Sequence, residues 1–275
     1  MTTADLFEQI KAKQSFLCVG LDVDQDRFPV ELRDKPDNLF NFCQKIIDST
    51  AHYCVAYKPN IAFFEAYGLE GWKSLEKVMQ YINRHYPEMF TIADAKRADI
   101  GNTSKRYAKA YFEHFDFDSI TVSPYMGVDS VEPFLTYEDK YTILLALTSN
   151  KGATDFQLAS IGNQKLYEEV IKKSLEWQNS KRLMYVVGAT KAEALQSIRQ
   201  LIPEHFLLIP GVGAQGGSLE EVALNGMNNQ CGILVNSSRG IIYASSESDY
   251  AEKAGSVARE MQQKMRELLI QNQIL

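Results

Sequence analysis

The chain reads as a single (β/α)8 barrel, and three features carry that reading. Eight short β-branched or aromatic runs recur along its 275 residues, and amphipathic stretches separate most of them. Polar and charged residues gather at the C-terminal ends of the runs, where such barrels place their chemistry. A composition that is 45% hydrophobic supplies apolar surface for a full core at this length. No low-complexity segment, charge block or Pro/Gly/Ser linker divides residues 1–275, so one domain is expected.

The elements follow in order. "MTTADLFEQIKAK" carries Asp5 and Glu8 and lacks an apolar signal core, so it is expected as an extra N-terminal helix. "SFLCVGLD" (15–22) is the first strand and delivers Asp22; a helix pattern over 39–51 follows. "YCVAYKP" (53–59) ends on Lys58, which Pro59 biases toward extended geometry, and leads to a helix over 69–85. "MFTIAD" (89–94) runs into "DAKRADIGNT" and a helix over 103–114. "SITVS" (119–123) and "YTILLALT" (141–148) come next, the latter delivering Thr148 and Ser149 before a helix over 164–178. "LMYVVGA" (183–189) precedes a helix over 191–201, and "HFLLIPG" (205–211) opens into a glycine-rich loop. "CGILVNS" (231–237) leads to Arg239, and a long amphipathic helix from about 250 to 272 closes the chain.

Charge and cysteine usage narrow the partners. A net charge of −6 and a pI near 5.4 argue against nucleic acid or an anionic membrane surface, and favour a small molecule. Cys18, Cys43, Cys54 and Cys231 form no C-x-x-C pair and do not cluster with histidine, so neither a disulfide framework nor a metal site is expected. No apolar run approaches a membrane span, and a cytoplasmic location is the expectation.

Two loops point to a phosphorylated ligand. "PGVGAQGGS" (210–218) offers four glycines whose backbone can approach an anion, and one βα unit later "NSSRG" (236–240) offers the Arg239 guanidinium for bidentate contact. Gln215 lies on the glycine loop, where it could close over the ligand as part of a lid. Each such residue alone is more often a solvated loop position or a cap than a site. Their order along the chain is what raises the odds.

"DAKRADIGNT" (94–103) sets Asp94, Lys96 and Asp99 in six residues after a buried run. In extended backbone Asp94 and Lys96 share a side, Asp99 falls at the start of the next helix, and Lys58 can reach them from the neighbouring strand. At about 4 Å and an effective dielectric of about 20, each charge pair is worth about 4 kcal/mol, enough to hold a lysine charged and aimed. Such an array suits loss of a substrate carboxylate as carbon dioxide: Asp94 opposes the departing charge, and Lys96 stabilises and then protonates the carbanion. A structural salt-bridge chain is the plainer alternative.

These residues resemble the orotidine 5′-phosphate decarboxylase family, whose Asp-x-Lys-x-x-Asp motif stands here as Asp94, Lys96 and Asp99. "GLDVD", "YKPN", "SPYMGVDSVEPF", "LTSNKGA", "PGVGAQGG" and "SSRG" extend the likeness over most of the chain, in the manner of the longer bacterial-type branch. The resemblance implies a cofactor-free and metal-free conversion of orotidine 5′-phosphate to UMP, the last step of pyrimidine nucleotide synthesis. It makes Lys96 the proton donor to C6, sets Asp94 against the substrate carboxylate, and has Lys58 link Asp94 to the ribose. Asp22 would bond a ribose hydroxyl, Ser149 the pyrimidine edge, and Gln215 and Arg239 the 5′-phosphate, with Pro210 lining the base pocket. Asp99 and Thr103 would enter the partner subunit's site in a homodimer. Two departures stand out: Ala98 occupies a usual glycine position, beside the backbone that aims Asp99, and Ser123 a usual asparagine position.

Three rivals are set beside this reading. A related sugar-phosphate barrel with a magnesium-stabilised enediolate is disfavoured because Lys58 stands where a cation ligand is needed. An aldolase forming a Schiff base through Lys58 or Lys96 would leave a trappable covalent adduct. A catalytically silent barrel would bind the nucleotide without turnover.

Overall fold

The computed structural model describes residues 1–212 and 216–275, with residues 191–193 as backbone alone. Eight parallel strands close into a barrel in the order β1-β8-β7-β6-β5-β4-β3-β2. They are β1 (Leu17–Leu21), β2 (Ala56–Pro59), β3 (Phe90–Arg97), β4 (Ser119–Val122), β5 (Tyr141–Leu147), β6 (Leu183–Val187), β7 (Leu207–Pro210) and β8 (Ile233–Ser237). All eight coincide with the expected runs, because strands buried on both faces are written mostly in apolar residues, with polar ones gathered toward their C-terminal ends. Asp22 itself follows β1 rather than ending it.

The helices that cover the barrel are read just as directly where they are long. α1 (Thr3–Lys13) is the extra N-terminal helix; Thr2 and Asp5 form a capping box, with Thr2 Oγ1 accepting from Asp5 N at 3.1 Å and Asp5 Oδ2 accepting from Thr2 N at 2.9 Å. It lies across the N-terminal ends of the strands, where Tyr141 Oη accepts from Thr3 N at 3.0 Å. α2 (Asn38–Thr50) buries Leu39, Phe42, Cys43, Ile46 and Ile47, one stripe at three- and four-residue spacing, each large side chain worth about 1.5–3 kcal/mol of transfer. α3 (Gly68–His85), α4 (Gly101–Lys109), α5 (Val128–Leu135), α6 (Leu166–Leu175), α7 (Ala192–Leu201), α8 (Leu219–Gly226) and α9 (Tyr250–Gln271) complete the layer. No helix among the described residues is long and apolar enough to cross a membrane.

Three details depart from the expectations. The helix pattern over 103–114 begins earlier, at Gly101, and its last turn, Ala110–His114, widens to a π-helix. Gln164 and Lys165 belong to a two-stranded hairpin with Ser160 and Ile161, so α6 starts only at Leu166. Helices at Ile61–Glu65, α5 and α8 are too short to show a period in the sequence.

The floor of the barrel is tied by a half-buried cation. Arg199, near the end of α7, donates to the carbonyls of Gly226, Ile202, His205 and Gly232 at 2.7–3.0 Å. These carbonyls close α7 and α8 and precede β7 and β8, so one guanidinium caps two helix ends and ties them to the starts of two strands. Burial pushes its pKa down to about 10.

Candidate active site

At the opposite end the strand tips carry charge. In the β1–β2 register Gly20 faces Lys58 and Cys18 faces Ala56, so Cys18, Gly20, Ala56 and Lys58 point to the same side of the sheet. Lys58 Nζ donates to Asp94 Oδ2 at 2.6 Å, and Lys96 Nζ meets Asp94 Oδ1 at 2.5 Å. The carboxylate is thus gripped on both oxygens. Lys58 is 5% exposed in this pair and Asp94 12%, whereas Lys96 is 53% exposed and open to the mouth. Burial alone would raise the Asp94 pKa; the charges of Lys58 and then Lys96, with their hydrogen bonds, outweigh it and hold the carboxyl well below the usual range. Burial likewise opposes charge on Lys58, but Asp94 and Asp22 prevail and raise it.

The backbone that brings these groups together is not simply extended. Lys96 has φ of +48°, and the β3–β4 register jumps between Ala93 and Arg97. Asp94 and Lys96 therefore meet across a bulge rather than by strand alternation, which corrects the geometry expected from spacing. Arg97 pairs with Glu65, lies over the Tyr107 and Tyr111 rings, and donates to Ala95 O at 3.2 Å.

The other expected residues take their places as follows. Asp22 Oδ1 is buried without a hydrogen-bond partner among the described residues, and coulombic coupling ties Asp22 to Lys58. Ser149 follows Thr148, whose amide donates to Gln157 Oε1 at 2.7 Å; a Cβ on Gly188 would lie 2.7 Å from Ser149 N, so that glycine lets β6 approach the loop. Pro210 ends β7 opposite Asn236 of β8, and Arg239, exposed, opens the single helical turn Arg239–Ile242. Gln215 lies outside the described residues. Gly211 and Gly216, on either side, have φ of +98° and +85°, conformations that favour glycine.

Asp99 and Thr103 do not join this cluster within one chain. Asp99 Oδ1 accepts from Ile100 N at 2.7 Å, Asp99 O accepts from Ser104 Oγ at 2.5 Å, and Thr103 is exposed on the first turn of α4. Ile100, between them in the chain, stands exposed, as do Tyr125, Met126 and Val128 after β4 and Phe156 after β5, with the Tyr125 and Phe156 rings 6.2 Å apart.

Spacing missed several contributors. Tyr243 Oη accepts from Asp24 N at 2.6 Å and donates to Asp22 O at 2.9 Å, tying the β8 loop to the β1 loop. Asn236, 8% exposed, turns toward Gly20 its Oδ1, which has no hydrogen-bond partner among the described residues. Thr121 contacts the β3 bulge. None carries a charge, and each reads in sequence as an ordinary core or loop residue.

With this geometry in hand, comparison with known proteins is decisive. The profile of the orotidine 5′-phosphate decarboxylase / HUMPS family matches residues 15–254. The chain belongs to that family. The orotidine 5′-phosphate decarboxylase of Christiangramia forsetii is 62% identical over 265 residues, 96% of this chain and 97% of the relative. Among solved structures of the orotidine 5′-phosphate decarboxylase family, the Leishmania donovani OMP decarboxylase superposes with a TM-score of 0.81 at 37% identity, covering 97% of this chain and 99% of that one. A Toxoplasma gondii structure described as a putative orotidine-monophosphate decarboxylase gives 0.84 at 33% identity, covering 98% of each chain.

Proposed function

We propose that this chain decarboxylates orotidine 5′-phosphate to UMP without a metal or organic cofactor, through the Lys58–Asp94–Lys96 array. The observation that carries the mechanism is the doubly gripped Asp94 carboxylate, held charged in a buried setting beside a lysine that faces the mouth. A substrate carboxylate placed against Asp94 is repelled while the transition state, in which that charge disperses into departing carbon dioxide, is not. As the C6–carboxylate bond breaks, its electron pair stays on C6; the Lys96 ammonium stabilises this carbanion and then gives it a proton.

The remaining groups bind. Asp22 offers a buried acceptor to a ribose hydroxyl, Ser149 and Pro210 border the base, and Arg239 with the glycine-loop Gln215 takes the 5′-phosphate. The exposed apolar residues Ile100, Tyr125, Met126, Val128 and Phe156 support a second copy of this chain as their cover. In that homodimer Asp99 and Thr103 enter the partner's site, so each site is built from two chains.

Magnesium chemistry on a sugar phosphate fits the residues poorly, because a cation beside Asp94 would face two ammonium groups already bonded to its oxygens. The deciding experiment follows the loss of orotidine 5′-phosphate absorbance in excess EDTA, with Lys96→Ala alongside. Fast decay in the wild type and near-silence in the variant are expected. No decay in folded wild type that still binds UMP would make the chain a silent nucleotide binder.

A further inference from the structure

Between Ala93, which faces Ile120, and Arg97, which faces Val122, three residues of β3 stand opposite a single residue of β4. Those three are Asp94, Ala95 and Lys96, and the single residue is Thr121. Such a bulge takes backbone amides out of the ladder, and a buried amide needs an acceptor. Thr121 Oγ1 supplies it twice, accepting from Ala95 N at 3.0 Å and from Lys96 N at 2.9 Å. Its own proton has Asp94 Oδ1 at 3.3 Å and Ala93 O at 3.5 Å as acceptors. The residue is 1% exposed, so no solvent replaces these bonds. On the other side of the bulge Arg97 Nη1 donates to Ala95 O, and the ladder resumes where Ser123 N donates to Arg97 O at 3.1 Å.

We propose that Thr121 is a positioning residue for the reaction, its hydroxyl holding the bulge that aims the Lys96 ammonium at the substrate carbon. A non-glycine residue at positive φ persists only where its surroundings over-determine it, and here the two accepted amides are the consecutive ones that lead into the strained φ of Lys96, the second being the nitrogen of that torsion itself. Without the hydroxyl, Lys96 can relax toward extended backbone and carry its ammonium away from C6. The methyl group of Thr121 serves the sheet; the oxygen serves the site. This inference rests on the proposed role of Lys96.

The test compares Thr121→Val, which keeps the shape and removes the oxygen, with Thr121→Ser, which keeps the oxygen. A displacement of reacting groups by about 1 Å costs about 100-fold, so Val is expected to lower kcat by about that factor. KM for orotidine 5′-phosphate and Kd for UMP should stay within about threefold, since phosphate and ribose contacts are untouched, and Ser should keep kcat within about threefold. A purely structural role would instead move Tm, KM and kcat together. Val with wild-type kcat, or Ser as impaired as Val, overturns the proposal. Should Val not fold, Thr121→Cys, a weaker acceptor of similar shape, is read in its place, and wild-type kcat there overturns the proposal equally. Lys96→Ala, measured in parallel, separates the two readings. If it is near-silent while Thr121→Val is fast, only the positioning role falls; if it decarboxylates at the wild-type rate, the Lys96 mechanism falls and takes this inference with it.

Discussion

Asp94 keeps a charge where burial by itself would neutralise it, and the whole site follows from how that charge is held. Breaking the grip from the buried side is the severe change: Lys58→Met should cost about 3–5 kcal/mol in urea denaturation, toward the lower end because Lys96 stays on the other oxygen. The sign of the pH dependence follows from the depressed pKa. The stability Asp94 contributes is present above its unfolded value of about 3.9 and is lost as pH falls toward the folded value, so denaturation midpoints should drop on the acid side, less steeply in Asp94→Asn. For Lys58 the raised pKa works the other way: its contribution is complete below about 10.4 and fades as pH rises through the folded value. Asp94, Lys96 and Lys58 were legible in the sequence as one charged cluster because they stand together at the ends of neighbouring apolar runs. Thr121, Asn236 and Tyr243 were not, since a threonine in a strand, a buried asparagine and a loop tyrosine look the same whether or not they face a site.

Elements were legible in proportion to their length. Strands stand out as apolar runs and the longer helices by their period; the four-residue turn at Arg239–Ile242 and the two-residue strands of the hairpin do neither. The β3 bulge escaped for a related reason: spacing assumes regular backbone, and Asp94 to Lys96 is where regularity stops. At this scale the close passage of β1 by the β8 loop is a testable hinge of geometry. A Cβ on Gly20 would lie 1.8 Å from Ser238 Oγ and 3.1 Å from Asn236 Oδ1. Gly20→Ala should therefore displace the segment leading to Arg239 and raise KM for orotidine 5′-phosphate by about tenfold, with a smaller effect on kcat. Steady-state kinetics with the Ala variant checks it, and an unchanged KM would show that the β8 loop absorbs the methyl without moving its arginine.

For the molecule as a whole, barrel closure was legible because a βα alternation repeated eight times in a chain of this length matches a (β/α)8 barrel better than an open doubly wound sheet. The proposed pairing of two molecules came into view only through the resemblance, as exposed Tyr125 or Phe156 in a sequence is indistinguishable from buried aromatic. Mixing Lys96→Ala with Asp99→Ala chains under exchange should restore activity up to about a quarter of wild type, since half the dimers would be hybrids with one intact site each. No recovery, with subunit exchange verified by sedimentation and mass, would confine each site to one chain. The Arg199 knot matters at this scale too. Its charge is satisfied by carbonyls drawn wholly from the barrel's floor, with no contribution from any residue of the mouth. Scaffold and chemistry are therefore separable by descent: substitutions can accumulate at the strand tips and remodel what the barrel acts upon, while selection on the floor preserves the vessel in which the new reaction is tried.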